Sequence, residues 1–386
     1  MKIISARVYA LRLPFKTAFS HSLKTRTYSD SVVVRVTADT GATGFGEAAP
    51  RPYVTGETVE SCCDHIQRVL LPALARHDFP QITAAADPMA VMAGICELLP
   101  ENGQGAGIIM NAAKAAVELA CIDCLLKDSA LPFSALVKPQ TDMVTYSSVI
   151  TAGSIEAVRK AAQQSKQLGF QHVKMKVGMG DDIERIALVR NLLGDLVSIR
   201  VDANGAFDEH SALSFIGSLQ PYRIDSIEQP IPRGDVKALA RLKARSEIPV
   251  MADESLVTQQ DALELIGNDA CDIFNLRISK NGGFCRTLQL AEMARKAGLG
   301  IQFGCQVGET AILSAAGRHI AAHYPDAKFV EGSFGTYLLE EDVAAEPVMF
   351  GFAGKVGLLH GLGLGIDIRE DVLERYAEKT FDLAIT

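Results

Sequence analysis

The chain has 386 residues, more than one hydrophobic core usually holds, so two structural parts are expected. With 48% apolar and 22% charged residues and no biased tract, its composition is that of a soluble globular protein. A formal net charge of −8 argues against nucleic acid or an anionic membrane as partner, because both reward clustered lysine and arginine.

The N-terminus, MKIISARVYALRLPFK, carries Lys2, Arg7 and Arg12 and reaches Pro14 without a long apolar run. It fits neither a signal peptide nor a membrane span, and the default expectation is a cytoplasmic protein. The runs IISARVYAL, SVVVRVTA and TGFGEAA alternate as strands do, with a turn at Asp39-Thr40-Gly41. Helical spacing follows over 56–76, 87–98 and 111–127, the second opening on Asp87 as N-cap with Pro88 in the first helical position. Strands first and helices after describe an α+β unit over residues 1–125. Cys121 and Cys124 form a C-x-x-C inside the third helical stretch without a second pair. Together with Cys62 and Cys63 they read as buried small hydrophobes rather than a redox or zinc motif. The stretch NGQGAG at 102–107 reads as a mobile loop rather than a phosphate cradle.

Over 126–345 the texture changes. MVTYSSVI, HVKMKV, SIRVDAN, SIEQP, PVMADES, IFNLRIS, GIQFGCQ and AKFVEG are β-rich, and helical segments lie between them. Such alternation means a parallel sheet with crossover helices, and the number of strand candidates fits a closed barrel better than an open sheet. From 346 to 386 a Gly-rich, strand-like tail and a short helix, DVLERYAE, are expected to pack back on the N-terminal unit.

Charged residues inside apolar barrel strands are anomalous, because an unpartnered buried charge is costly. Lys174 and Lys176 end HVKMK, Asp202 ends SIRVD, Glu228 ends SIE, Asp253 ends PVMAD and Lys280 follows IFNLRIS. From Lys176 the steps are 26, 26, 25 and 27 residues, one βα unit each. Each residue should therefore occupy a similar height at the C-terminal face of the barrel, where active sites sit. Three carboxylates on neighbouring strands repel unless a cation lies among them, and an all-oxygen set suits Mg²⁺ or Mn²⁺. Lys174 and Lys176 face the same side of their strand. Lys280 is expected across the barrel mouth, giving one base on each face of a bound substrate.

The ordered motifs KMK (174–176), DAN (202–204), EQP (228–230), ADES (252–255) and SKNGG (279–283) resemble the enolase superfamily, specifically its muconate-lactonizing subgroup within the mandelate racemase/muconate lactonizing enzyme group. The resemblance implies a (β/α)7β modified TIM barrel with an α+β capping domain built from the N-terminal part and the C-terminal tail. It implies that Asp202, Glu228 and Asp253 bind Mg²⁺, that Lys176 and Lys280 are the acid/base pair, that Lys174 contacts the substrate carboxylate and that Asn204 supports the site. It further implies proton abstraction next to the carboxylate of a small molecule through an enediolate, and a homo-oligomer. Cycloisomerisation, racemisation or epimerisation of dipeptides or N-acylamino acids, and syn dehydration of the o-succinylbenzoate synthase type all remain open. A barrel that binds a metal-chelated carboxylate without turning it over is the rival from another class.

Specificity is expected from the last strands and the capping loops. Glu309 in GCQVGET resembles a polar position ending the seventh strand. Glu331 stands where dipeptide epimerases carry the first residue of Asp-x-Asp, but the second position is Ser333, a departure that weakens that reading. His21, Arg51 and Tyr53 in the capping loops are candidates for substrate contact.

Overall fold

The computed structural model describes residues 1–21, 24–80, 82, 88–100, 108–151 and 153–385. The long strands β1 (Ile3–His21) and β2 (Lys24–Ala38) pair antiparallel, and β3 (Thr43–Ala48) continues the sheet beside β2. Val32, Val33 and Val34 are all buried, so both faces of this sheet are covered at its centre. One cover is the helix Asn111–Asp128, buried from Asn111 to Leu126 and accordingly apolar around most of its circumference. A Cβ on Gly46 would stand 1.9 Å from the Ala116 carbonyl oxygen, and one on Gly44 2.2 Å from that of Ala120. The sheet reaches the helix backbone because these positions lack side chains. Glu57 accepts the Ala112 and Ala113 N–H groups at 2.9 Å each, which satisfies orphan donors at the helix start.

The expected helix over 56–76 is interrupted. Thr58 caps a helix at Val59–His65, a π-helical turn spans Ile66–Leu70, and Pro72 lies in a last short turn. The helix at Pro88–Leu98 is present; its expected cap Asp87 and the loop at 102–107 lie outside the described residues.

MVTYSSVI divides into β4 (Met143–Thr145) and β5 (Ser148–Ile150), and only β5 enters the barrel. The barrel continues with β6 (His172–Lys176), β7 (Ser198–Asp202), β8 (Ile224–Glu228), β9 (Val250–Ala252), β10 (Ile273–Leu276), β11 (Gly300–Phe303) and β12 (Phe329–Val330). These eight strands run in sequential order, every described pairing is parallel, and a helix fills each interval. The Ser147 N–H donates to the Val330 carbonyl at 2.8 Å and joins the two ends of the curled sheet. The architecture is a (β/α)7β barrel beside an antiparallel cap.

In the tail, β13 (Lys355–Gly357) pairs with β4, and β14 (Ala377–Ala384), which follows the helix Glu370–Tyr376, pairs antiparallel with β1. Among the described residues no helix is long and apolar enough to cross a membrane.

Candidate active site

Register fixes the height of the charged side chains. Lys176 pairs with Asp202 and Asp202 with Glu228, each the last residue of its strand. Asp253 follows β9 directly and Arg277 follows β10 directly. Lys174, two residues before Lys176, shares its face. All of these are buried.

The charges neutralise one another in a chain across the barrel mouth. The Lys176 ammonium is 2.6 Å from Asp202 Oδ2 and 2.8 Å from Asn204 Oδ1. Asn204, in the left-handed region at φ 45°, also donates to Glu254 Oε1 and thereby holds its amide oxygen toward the lysine. The Lys174 ammonium lies 2.9 Å from Asp202 and 2.8 Å from Glu228. Arg277 pairs with Asp253 and stands 3.4 Å from Glu228. Burial pushes Asp202 up, but the Lys174 and Lys176 ammoniums outweigh it and hold the carboxyl below the usual carboxylate range. Burial, reinforced by the charge of Asp202, pushes Glu228 up to about 7.

The donor chemistry fits a hard divalent cation. Three carboxylates stand at neighbouring strand ends, no Cys or His stands at these strand ends, and cationic nitrogens of Lys174 and Arg277 sit among the oxygens. Glu254 Oε2 beside them is buried and accepts no hydrogen bond. Lys174 stands between Asp202 and Glu228 and Arg277 between Glu228 and Asp253, and no choice of one oxygen from each carboxylate brings all three within 4.8 Å of one another. Among the described residues Cys96, Glu118 and Cys285, away from the barrel mouth, form the set gathered within that distance.

A cavity of about 400 Å³ opens over Lys174, Lys176 and Arg277, with Glu309, Glu331 and Ser333 in its wall. Lys280 does not line it, which corrects the expectation of a second lysine facing the substrate. β10 ends at Leu276, and Ile278–Asn281 curls into a helical turn that carries Lys280 behind Asp253. Its ammonium donates to the Asp253 carbonyl at 2.8 Å, Asp253 Oδ1 at 2.8 Å and the Asn275 carbonyl at 2.7 Å, so all three donors are used.

Arg51 is likewise corrected. Its guanidinium is buried and donates to the carbonyls of Asp30, Pro50 and Val307, pinning the cap to the loop after β11. Neither Arg51 nor Tyr53 is among the described residues lining the cavity. The side chain of His21 lies outside the described residues. Glu331 is not free to hold an ammonium group, because Arg200 and Lys174 already pair with it. Burial works against its charge, yet Lys174 and Arg200 hold the carboxyl low. The Ser333 hydroxyl accepts from Arg318 at 3.2 Å. Burial pushes Glu309 up to about 8, despite the Gln306 N–H that it accepts.

Other residues of the site escaped sequence reasoning. Gln229, inside the motif EQP, accepts the backbone N–H groups of Asp253 and Ser255 at 3.0 Å each and so fixes the third carboxylate. Asn275 donates to Glu228 Oε1 at 2.8 Å and Gln302 to Oε2 at 3.3 Å. The signal for both, as for Arg277, is a polar residue at an inward position of an otherwise apolar strand.

Residues 2–137 match the Mandelate racemase / muconate lactonizing enzyme, N-terminal domain, and residues 156–372 match the Enolase C-terminal domain-like family. The N-succinyl-L-Arg/Lys racemase of Bacillus cereus is 31% identical over 378 residues, 97% of this chain and 97% of its own. The muconate lactonizing enzyme of Pseudomonas fluorescens complexed with muconolactone superposes with a TM-score of 0.84 at 29% identity, covering 98% of this chain and 99% of its own. The dipeptide epimerase of Enterococcus faecalis complexed with Mg and the dipeptide L-Leu-L-Tyr gives 0.82 at 28% identity, covering 95% and 100%.

Proposed function

The chain belongs to the mandelate racemase/muconate lactonizing enzyme family of the enolase superfamily, and from that premise we propose that it moves a proton at the carbon next to the carboxylate of a small substrate, with Lys176 as acid/base group. The observation that carries this is Lys176 at the cavity wall, its ammonium 2.6 Å from Asp202 and oriented by Asn204. A lysine so placed can take a proton from, or give one to, a carbon held above it.

The difficulty of the reaction is the second negative charge that a carboxylate acquires when its neighbouring carbon loses a proton. Asp202, Glu228 and Asp253 would hold Mg²⁺, which supplies two positive charges where the enediolate of the substrate develops. Lys174 lies beside them and offers a further cation toward the carboxylate. Gln229 fixes Asp253, and Asn275 and Gln302 fix Glu228, so the charged groups are oriented before substrate arrives.

A small carboxylate without a free ammonium suits the cavity best. Glu331 is neutralised by Arg200 and Lys174, and Glu309 keeps its proton below about pH 8, so among the described residues the wall offers no uncompensated carboxylate. This favours N-acylamino acids or unsaturated dicarboxylates over dipeptides.

The test is incubation in heavy water with Mg²⁺ and a panel of N-acylamino acids, dipeptides and muconates. Deuterium should enter at the carbon next to a carboxylate, and Lys176→Ala should abolish that entry. A panel left wholly unlabelled by the wild-type protein would count against the proposal.

A further inference from the structure

We infer that Arg277, rather than a second lysine, faces the substrate from the far side of the barrel mouth, so that proton transfer is confined to the Lys176 side. The inference rests on the acid/base role of Lys176 proposed above and goes on to select the class of reaction.

Position carries the first step. β6 and β10 are separated by β7, β8 and β9 in an eight-stranded order, so the ends of β6 and β10 lie opposite each other across the mouth. On β10, Asn275 points inward to Glu228, and Arg277, two residues on, shares that face. Arg277 is in extended conformation at φ −134° and ψ 125°, and it lines the cavity. Lys280 begins three residues later in a helical turn and spends its three N–H donors on Asp253 and Asn275. The cation aligned with Lys176 across the three carboxylates is therefore a guanidinium.

Chemistry carries the second step. Inverting a carbon centre requires a group on each face, one to remove a proton and the other to return one. A guanidinium keeps its protons throughout the working range of an enzyme. It can stabilise charge or bind a carboxylate in bidentate fashion, but it does not exchange protons as an amine does. Glu309 and Cys305 are the other titratable groups on that side of the described wall. Glu309 is held by the Gln306 N–H, and burial keeps both Glu309 and the Cys305 thiol protonated through neutral pH, so neither serves as a base there.

The reaction that fits is one-sided addition or elimination. In the closing direction, an oxygen of the distal carboxylate of an unsaturated dicarboxylate forms a C–O bond at the β-carbon. The π pair moves toward the proximal carboxylate, and the Lys176 ammonium gives its proton to the α-carbon, forming the C–H bond. The lysine regains a proton from solvent. Ring opening reverses these steps: Lys176 takes the α-proton and the C–O bond breaks. Neither direction needs an oxidant or a reactant beyond the proton. Arg277 supplies a fixed positive charge toward the distal carboxylate.

The test uses the wild-type protein with Mg²⁺ in heavy water, cis,cis-muconate as one probe and separate N-succinyl-L- and N-succinyl-D-amino acids as others. The lactone from muconate should carry deuterium on a single face of its α-carbon. Of each amino-acid pair, one enantiomer should take up deuterium by proton NMR while its circular dichroism stays constant. Arg277→Lys should restore an amine opposite Lys176, and the dichroism should then decay toward zero. Decay in the wild-type protein, with label in both enantiomers, would overturn the inference, and an Arg277→Lys protein of unchanged stereochemistry would count against it too. No label in any probe would instead overturn the acid/base role of Lys176, so the two failures are told apart.

Discussion

The ammonium of Lys174 stands 2.8 Å from Glu228 Oε2 with both side chains shielded from solvent, and it also reaches Asp202 at 2.9 Å. One nitrogen therefore neutralises carboxylates from two neighbouring strands. Removing a partner from such a cluster leaves buried charge uncompensated, at a cost of about 3–5 kcal/mol. Lys174→Met should lower stability to urea by that order in the presence of a chelator. Mg²⁺ should recover part of the loss, because it replaces the missing positive charge among the same oxygens. Equal stability of variant and wild type under chelation would refute the account.

Arg277 pairs with Asp253 and Glu228, the same oxygens assigned to the metal. A unit charge about 4 Å from a carboxylate is worth about 4 kcal/mol at an effective dielectric of about 20, so the guanidinium competes with a cation for these ligands. Arg277→Gln should therefore bind Mn²⁺ about tenfold or more tightly, a change of about 1.4 kcal/mol. Calorimetric titration or the paramagnetic signal of free Mn²⁺ reads this without any turnover. Weaker binding in the variant would show that the arginine supports the metal site instead.

The sequence reveals the rim of the barrel because strand-end charges recur once per βα unit, and register places Lys176, Asp202 and Glu228 at one level. The same counting fails at Lys280, since β-rich IFNLRIS hides a strand that stops at Leu276 and a helical turn that follows. A three-residue shift there moves an ammonium from the cavity to the space behind Asp253. Arg277 was open to the alternation argument, because it lies two residues beyond Asn275 on the inward face. The role of Arg51 was not open to any argument from periodicity. Beyond the adjacent Pro50, its carbonyl partners Asp30 and Val307 come from two distant segments, and only the folded chain brings them together. β14 escaped for a related reason, since an edge strand that is half exposed carries little apolar patterning.

Gly46 tests the docking of cap sheet on helix. Its Cβ would stand 1.9 Å from the Ala116 oxygen and 2.6 Å from the Ala120 nitrogen, both backbone atoms that no rotamer change can move. Gly46→Ala should destabilise by about 3 kcal/mol through forced separation of sheet and helix. Thermal unfolding measures the loss. A melting temperature equal to that of the wild type would mean that the sheet and helix stand further apart than described.

Glu309 couples stability to pH with a definite sign. Burial holds its carboxyl at about 8, against an ordinary value of 4.5. Below about pH 4.5 the group is protonated in both folded and unfolded chains and contributes no pH dependence. Between 4.5 and about 8 the unfolded chain releases the proton while the folded chain keeps it, so stability falls as pH rises, by up to about 1.4 kcal/mol per pH unit. Above about 8 the effect levels off. Glu309→Gln cannot titrate, and its stability relative to the wild type should therefore grow from pH 5 to pH 8. Glu57, raised to about 7 by burial, has the same sign but is present in both proteins and cancels in the difference. Urea midpoints of the two proteins at pH 5, 6.5 and 8 give the comparison, and a gap of constant size across that range would mean that Glu309 is ionised in the folded chain.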